Sequence, residues 1–220
     1  MHAKKGSNFL KFLLVLGIFS LFIAGLFYFF AGERGPIYDF KYERDAKPIL
    51  KIFDKDWYWL VASSREDYSA DFMLKNKVPP GGGPEKFGEL VIKVLLEDGK
   101  LAGFVAYHKK KFYEGFLLFL AVDKAFRGKG YGEQLARYAI DDLFEQGCSV
   151  IRLVTRTNNT AARKLYKKLG FDEALIEDGF VYFQVFKNDY YKRLELLRQA
   201  PSYAKATEDK QDEREVPAPT

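Results

Sequence analysis

The chain has 220 residues, of which 48% are apolar and 30% are charged, and this composition excludes collagen-like, low-complexity and wholly disordered proteins. The single cysteine, Cys148, excludes an internal disulfide and a multi-cysteine zinc module, and two histidines argue against a histidine-built metal site. We therefore predict no metal. The net charge of +5 favours an anionic partner without choosing among phosphate cofactors, lipid headgroups and nucleic acid.

An apolar run of 20 residues without a charge, Phe12 to Ala31, follows a short N-terminal tail at residues 1–11. A helix of that length spans about 30 Å, the thickness of the bilayer hydrocarbon. A cleaved signal peptide is the main alternative, although its apolar region usually has about 7 to 15 residues and ends at a small-x-small site. A buried core helix is the other. We predict a transmembrane helix at 12–31, with the lipid bilayer as a partner.

Residues 36–188 have the composition of one folded domain, followed by a predicted helix at 189–200 and a charged tail at 201–220 that we expect to be disordered. Within the domain, periodicity and turn signals predict an alternating series of strands and helices, which indicates a mixed α/β sheet. The first half is predicted to contain a strand at 37–42, two helices within 45–77, a loop at 79–84, and a hairpin of strands 90–96 and 101–108 joined at Asp98-Gly99. A strand at 116–122 and a helix ended by Gly147 follow. The rest is predicted to contain a strand at 150–155, a helix capped by Asn158 or Asn159 and ended by Gly170, and strands at 171–176 and 180–186.

The segment from Val122 to Gly132 joins a buried strand to a helix and contains three glycines, at positions 128, 130 and 132. Such glycines let the backbone approach a ligand closely and leave N–H groups free at a helix N-terminus, where the helix dipole also favours an anion. The spacing fits neither the dinucleotide fingerprint nor the P-loop. On this pattern alone, the segment is either a pyrophosphate-binding turn or simply a tight turn.

Two motifs lie in the second half of the chain. Arg127, Gly130 and Gly132 form the pattern [RQ]-x-x-G-x-[GA], and the residues from Asn159 to Phe171 form N-x-x-A-x-x-L-Y-x-x-x-G-F. Together these motifs resemble those of the GNAT N-acetyltransferase superfamily, in which the first is the acyl-CoA-binding pattern. The resemblance implies a mixed sheet that is splayed between its fourth and fifth strands and flanked by helices.

The resemblance also implies acetyl-CoA as the co-substrate and assigns residues to it. The pantetheine arm is expected to pair with backbone of the fourth strand, and Asn159 is expected to contact the cofactor arm or to shape its site. Arg127 and Lys129 supply positive charge that suits CoA phosphates. The expected backbone contacts are Leu120, Ala121 and Val122 for the pantetheine, and Gly128, Lys129, Gly130, Tyr131 and Gly132 for the pyrophosphate.

The implied chemistry is direct attack of a neutral amine on the thioester, with Tyr166 as the general acid that protonates the departing thiolate. The amine must first lose its proton, and at pH 7 only about 0.04% of lysine side chains are neutral, against roughly 10 to 15% of α-amines. A base therefore helps lysine acceptors most. Glu114 is the leading candidate, and His108 or Glu89 is expected to act through water if Glu114 does not.

The sequence thus predicts a membrane-anchored N-acetyltransferase whose acceptor is a protein or peptide N-terminus, a lysine or a small amine. The alternatives are a non-catalytic, membrane-tethered acyl-CoA-binding or interaction module, and a cell-envelope domain that binds something other than CoA. Nucleic acid is not expected as a partner, because no known binding module occurs. Since acetyl-CoA is made inside cells and does not cross a bilayer unaided, we expect the domain on the cytoplasmic side.

Overall fold

The computed structural model describes residues 36–62, 68–79, 88–110 and 113–199. The predicted transmembrane helix, the N-terminal tail and the predicted disordered tail lie outside these residues and stay predictions. In the part of the chain that is described, no helix is both long enough and apolar enough to cross a bilayer.

Within the described residues, seven strands form one sheet in the order β1-β2-β3-β4-β5-β7-β6. Only β4 and β5 run parallel among the described strands, so the predicted mixed α/β sheet is confirmed. The strands are β1 Ile37–Asp39, β2 Val91–Glu97, β3 Lys100–Lys110, β4 Glu114–Val122, β5 Val150–Arg156, β6 Asp172–Glu177 and β7 Phe180–Phe186. The helices are α1 Tyr42–Leu60, α2 Ala70–Asn76, α3 Tyr131–Glu145, α4 Thr160–Lys168 and α5 Lys187–Gln199, with a 3₁₀ helix at Lys124–Phe126.

Local sequence signals explain several element boundaries. The turn between β2 and β3 places both Asp98 and Gly99 at positive φ, 50° and 72°, as a tight hairpin turn requires. Asn159 caps α4 by accepting a hydrogen bond from the N–H of Ala162 at 3.3 Å. Gly170 ends α4 at a φ of 88°, a left-handed conformation that glycine adopts without steric cost.

Helices cover both faces of the sheet and bury two apolar clusters. On one face, α1 packs Ile49, Ile52 and Phe53 against β2, β3 and β4. On the other, α3 buries a stripe that includes Leu135 and Ile140, with the spacing expected of a half-buried helix. Each fully buried side chain of this kind contributes about 1.5–3 kcal/mol of transfer free energy. The two clusters therefore stabilise the sheet that positions the loops at its edge.

Candidate active site

The two parallel strands at the centre of the sheet separate along their length. β4 and β5 are paired only from Glu114↔Val150 to Phe116↔Arg152, whereas β5 continues to pair with β7 as far as Arg156↔Phe180. A β-bulge lies just beyond the last β4–β5 pair, because Ala106 and Tyr107 of β3 face Phe119 and Leu117 and leave Leu118 unpaired. Bulges bend a strand. The rest of β4 therefore turns away from β5 and presents backbone groups to a wedge-shaped gap.

The glycine-rich turn lies at the wide end of this gap, between β4 and α3. Gly128 and Gly130 have φ values of 82° and 79°, and Gly130 is the N-cap residue of α3. A Cβ atom on either glycine would meet no atom within 4 Å, so the backbone is open to a ligand on this side. Free N–H groups and the dipole of a 15-residue helix together favour an anion here.

Both cations of the turn are tied to neighbouring elements. Arg127 forms an ion pair with Asp56 of α1, and its Nε donates a hydrogen bond to the carbonyl oxygen of Val122 at 3.0 Å. Lys129 Nζ lies 2.9 Å from a carboxylate oxygen of Glu97. These contacts hold the turn against α1 and β2, so the groups left free for an anion are chiefly backbone amides.

A cavity of about 380 Å³ extends from the turn along the end of β4, and we call it the donor cavity. It brings together several predicted cofactor residues from two distant motifs, with α1 as an additional wall. Asn159, besides capping α4, donates from Nδ2 to Thr155 Oγ1 at 3.2 Å, which links the cavity wall to β5. The lining residues are Asp56, Trp59, Leu60, Leu120, Ala121, Val122, Arg127, Asn158, Asn159, Thr160, Ala161 and Ala162.

Tyr166 lies on α4, four residues after Ala162 and therefore on the same helix face, about 6 Å further along. Its ring packs against Phe171 and Phe183, at centroid distances of 5.8 and 5.6 Å. The side chain is buried and is not among the lining residues of the donor cavity. Burial raises the pKa of Tyr166 well above its usual range, so the phenol is protonated at neutral pH, and its role as the general acid stays a prediction.

A second cavity, of about 230 Å³, opens on the α1 side of the gap, and we call it the acceptor cavity. It shares Trp59 and Leu60 with the donor cavity. Between the two cavities run consecutive residues of β4, with Leu118 and Phe119 on one and Leu120 on the other. The lining residues of the acceptor cavity are Tyr58, Trp59, Leu60, Val61, Ala62, Tyr68, Phe116, Leu118, Phe119, Val154, Thr155, Arg156 and Phe180.

Sequence reasoning missed the walls of the acceptor cavity. α1 leaves helical geometry at Asp56, where φ is −112° and ψ is 22°, and the residues after this kink line the gap. Arg156 holds them there, because its Nε donates to the carbonyl oxygen of Tyr58 at 2.6 Å. One feature of the sequence could have indicated these walls, namely the three consecutive aromatic residues Trp57-Tyr58-Trp59. An amphipathic helix needs apolar residues only at every third or fourth position.

Glu114 lies outside both cavities, and its role as the general base stays a prediction. Glu114 lies at the paired end of β4, opposite Val150, with Lys110 at 3.9 Å and Arg152 at 3.6 Å. Leu120 is six positions further along the strand, a span of about 20 Å. Glu114 is the first residue of β4, at the end of the strand that lies away from the gap.

The two other candidate bases occupy different places. His108 is buried on β3 directly opposite Phe116, with ring centroids 5.7 Å apart, so it lies behind a wall of the acceptor cavity. Glu89 is exposed just before β2. Neither lines a cavity, and their action through water stays a prediction. In the described ranges no cluster of three or more His, Cys, Asp or Glu side chains that could hold a metal ion is found.

Comparison with known proteins identifies the family. A family model described as the acetyltransferase (GNAT) family matches residues 47–171, and the chain belongs to this family. The [ribosomal protein bS18]-alanine N-acetyltransferase of Escherichia coli K12 is 36% identical over 86 residues, covering 39% of this chain and 57% of that protein. N-alpha-acetyltransferase 30 of Xenopus laevis is 44% identical over 64 residues, covering 29% of this chain and 23% of that protein. The matched regions span less than two thirds of either relative.

Solved structures share the fold. The ribosomal-protein-S18-alanine N-acetyltransferase from Escherichia coli superposes with a TM-score of 0.51 at 24% identity, covering 69% of this chain and 93% of that one. The yncA protein of Salmonella typhimurium, solved with its cofactor acetyl-CoA, gives a TM-score of 0.52 at 19% identity, covering 70% and 94%. At these identities the likeness establishes the GNAT fold, with its splayed sheet and flanking helices.

Proposed function

We propose that the chain transfers an acetyl group from acetyl-CoA to a primary amine, by direct attack within a ternary complex. The observation that carries the proposal is the meeting of two cavities along the unpaired edge of β4. One cavity begins at an anion-favouring turn and suits a phosphate-bearing donor. The other shares Trp59 and Leu60 of α1 with the first, has no residue of that turn in its lining, and suits an acceptor. A reaction that joins two substrates needs this arrangement, whereas a module that only binds acyl-CoA needs a single cavity.

The donor is held mainly by backbone groups in this proposal. The N–H groups from Gly128 to Gly132 bind the pyrophosphate, and the free edge of β4 from Leu120 to Val122 pairs with the amides of the pantetheine arm. The hydrogen bonds to the charged pyrophosphate contribute about 1.5–3 kcal/mol each, and those to the neutral pantetheine amides about 0.5–1.5 kcal/mol each. Support comes from the family assignment and from yncA, which has acetyl-CoA bound.

The chemistry moves one acetyl group and two protons. The neutral amine nitrogen attacks the thioester carbonyl carbon, and a backbone N–H of the bent part of β4 stabilises the oxyanion. When the intermediate collapses, the C–S bond breaks and the C–N bond remains. Tyr166 gives its proton to the departing thiolate and regains one from solvent, to which the amine proton is lost. The products are the N-acetylated acceptor and free CoA.

The acceptor that we propose is the α-amine of a polypeptide. Both curated relatives carry names for α-amine acetylation, one for an alanine of a ribosomal protein and one for N-alpha-acetylation. An α-amine also loses its proton about 300 times more readily than a lysine side chain at neutral pH. It therefore makes the smallest demand on a catalytic base, which fits the position of Glu114 away from the gap.

We also propose that the enzyme is membrane-anchored through residues 12–31 with its domain on the cytoplasmic side. The support is the uncharged apolar run and the intracellular supply of acetyl-CoA. The flanking charges do not decide, because three lysines precede the run and four basic residues follow it closely.

Calorimetric titration of the full chain with acetyl-CoA, followed by measurement of CoA thiol release with peptide amines, tests the activity. We expect saturable binding, competition by free CoA, and thiol release that depends on the amine. Binding without amine-dependent release would favour the alternative, a non-catalytic acyl-CoA-binding module. An absence of binding at millimolar acetyl-CoA would overturn both.

A further inference from the structure

The acceptor cavity is lined mainly by aromatic and aliphatic side chains, together with Arg156. Arg156 is sandwiched between two aromatic rings: its guanidinium carbon lies 4.1 Å from the centroid of Tyr58 and 5.0 Å from that of Phe180. Two donors of the same guanidinium are engaged by the end of α1, Nε by the carbonyl oxygen of Tyr58 at 2.6 Å and Nη2 by that of Val61 at 3.3 Å. Arg156 itself lines the cavity with Tyr58 and Phe180 beside it, so this wall combines one cation with aromatic carbon.

Another part of the cavity lining, formed by Tyr68 and Phe119, is aromatic and neutral. Tyr68 packs against Phe53 and Phe119, with centroid distances of 6.4 and 6.0 Å. Burial raises the pKa of Tyr68 well above its usual range, so its phenol carries no charge at physiological pH. Phe119 in turn packs edge-on against Phe53 at 5.2 Å. These contacts fix the rings as part of the core beneath α1.

Charge makes the cavity unfavourable for a cationic side chain. Arg156 is the single charged group among the described residues that line it. A second cation placed there would be desolvated next to a like charge, which costs free energy unless an anion pairs with it. A lysine side chain or a polyamine tail therefore fits poorly, whereas an apolar side chain gains from leaving water.

An uncovered apolar strip leads away from the cavity. Tyr182 lies two residues after Phe180 on β7, and thus on the same face of the sheet. Leu175 of β6 is its direct cross-strand partner. Their exposed fractions are 37% and 51%. The strip is continuous with the cavity, so an extended polypeptide whose first residue fills the cavity has an apolar surface on which to continue.

We infer that the acceptor is a polypeptide N-terminus whose first side chain is apolar and large, such as that of methionine, leucine or phenylalanine. The side chain enters the acceptor cavity between the Tyr58–Arg156–Phe180 stack and the Tyr68–Phe119 wall. This inference rests on the proposed function, since it selects among the acceptors of that reaction.

The test uses the full chain and peptides that differ only at the first residue: methionine, leucine or phenylalanine against serine, aspartate or lysine. We expect kcat/KM to be at least about tenfold higher for the apolar group, the discrimination that a hydrophobic pocket usually provides. Equal or higher values for the serine, aspartate or lysine peptides would overturn the inference, and a preference for aspartate would indicate instead that Arg156 pairs with an anionic acceptor.

Two variants on one strand sharpen the test. Phe180→Ala removes a cavity wall and is expected to reduce the preference for apolar first residues by at least about threefold, through a higher KM for those peptides. Phe186→Ala is the matched control, since Phe186 is exposed on the same face of β7 and does not line the cavity, and it should keep the preference. An equal effect of the two variants would contradict the assignment.

The outcomes separate this inference from the proposed function. If the chain binds acetyl-CoA and acetylates amines but ignores the first side chain, only the inference fails. If it binds acetyl-CoA and acetylates small amines but none of the peptides, the inference and the polypeptide acceptor fail while the transferase activity stands. If it binds no acetyl-CoA, the proposed function itself fails.

Discussion

At Gly130 the backbone conformation and the proposed binding of the pyrophosphate both require a residue without a side chain. It holds a φ of 79° at the first turn of α3, where any side chain is both strained and close to the proposed pyrophosphate. Gly130→Glu is expected to weaken acetyl-CoA binding by at least about tenfold, because the new carboxylate repels the anion and competes for the same N–H groups. Calorimetry on the full chain measures this.

Gly179→Glu is the matched control for that substitution. Gly179 has a φ of 80° in the β6–β7 turn, and a Cβ there also meets no atom within 4 Å. The backbone strain and the added charge are thus alike, but this turn is separate from the turn between β4 and α3 at which we propose that the pyrophosphate binds. Equal losses of affinity in the two variants would mean that strain, rather than the pyrophosphate, explains the effect.

Tyr166 is the residue that we propose as the general acid of the reaction. Tyr166→Phe removes only the hydroxyl that we expect to protonate the thiolate, so acetyl-CoA affinity should be unchanged while kcat falls by about 10²- to 10⁴-fold. Tyr191→Phe, at an exposed position of α5, controls for the loss of a phenol elsewhere. A kcat that stays unchanged on an acceptor with rate-limiting chemistry would reduce Tyr166 to a packing residue against Phe171 and Phe183.

At the scale of elements, α4 depends on its cap. Asn159→Ala is expected to lower the free energy of unfolding by about 1 kcal/mol, the usual value of an N-cap, because the N–H of Ala162 then has no acceptor. Asn159→Asp keeps an acceptor oxygen at the same place and should retain most of that stability. Denaturant unfolding followed by circular dichroism compares the variants, and an Asn159→Ala protein as stable as the wild type would refute the capping role.

Elements with strong local signals could be predicted from the sequence, and the geometry between them could not. The hairpin at Asp98-Gly99, the strand ending at Val122 and the helix that begins after Asn159 are all found where periodicity and turn chemistry place them. No pattern in the sequence predicts the bulge at Leu118, because the bulge depends on how β4 pairs with β3. The same limit explains Glu114: the residue is at a strand end, and which end faces the gap depends on where β4 and β5 separate.

The acceptor cavity shows this limit most clearly. Its stack joins Tyr58 to Arg156, residues about one hundred positions apart in the chain. Hydrophobic periodicity is measured over segments of ten to twenty residues, so it does not predict a contact between two side chains so far apart in the chain. Several residues of the donor cavity could be predicted from the sequence, because they belong to two motifs with fixed spacing. That spacing is the basis of the family resemblance.

At the scale of the whole molecule, sidedness follows from the need for acetyl-CoA. We predict that a cysteine introduced as Ser202→Cys is not labelled in intact cells by a membrane-impermeant maleimide and becomes labelled after lysis. Cys148 gives little background, because only 1% of it is exposed. Labelling in intact cells would put the domain on the outer face and deprive the proposed reaction of its cofactor.

The central claim is that this chain carries acetyl groups from acetyl-CoA to the α-amine of a polypeptide. The most direct measurement is mass spectrometry of a peptide with a free N-terminus after incubation with the full chain and acetyl-CoA labelled with ¹³C in the acetyl group. We predict that the label appears on the α-amine in step with the release of an equal amount of free CoA, and that Tyr166→Phe slows both together. Release of CoA without a labelled peptide, or neither product in the presence of bound acetyl-CoA, would contradict the account.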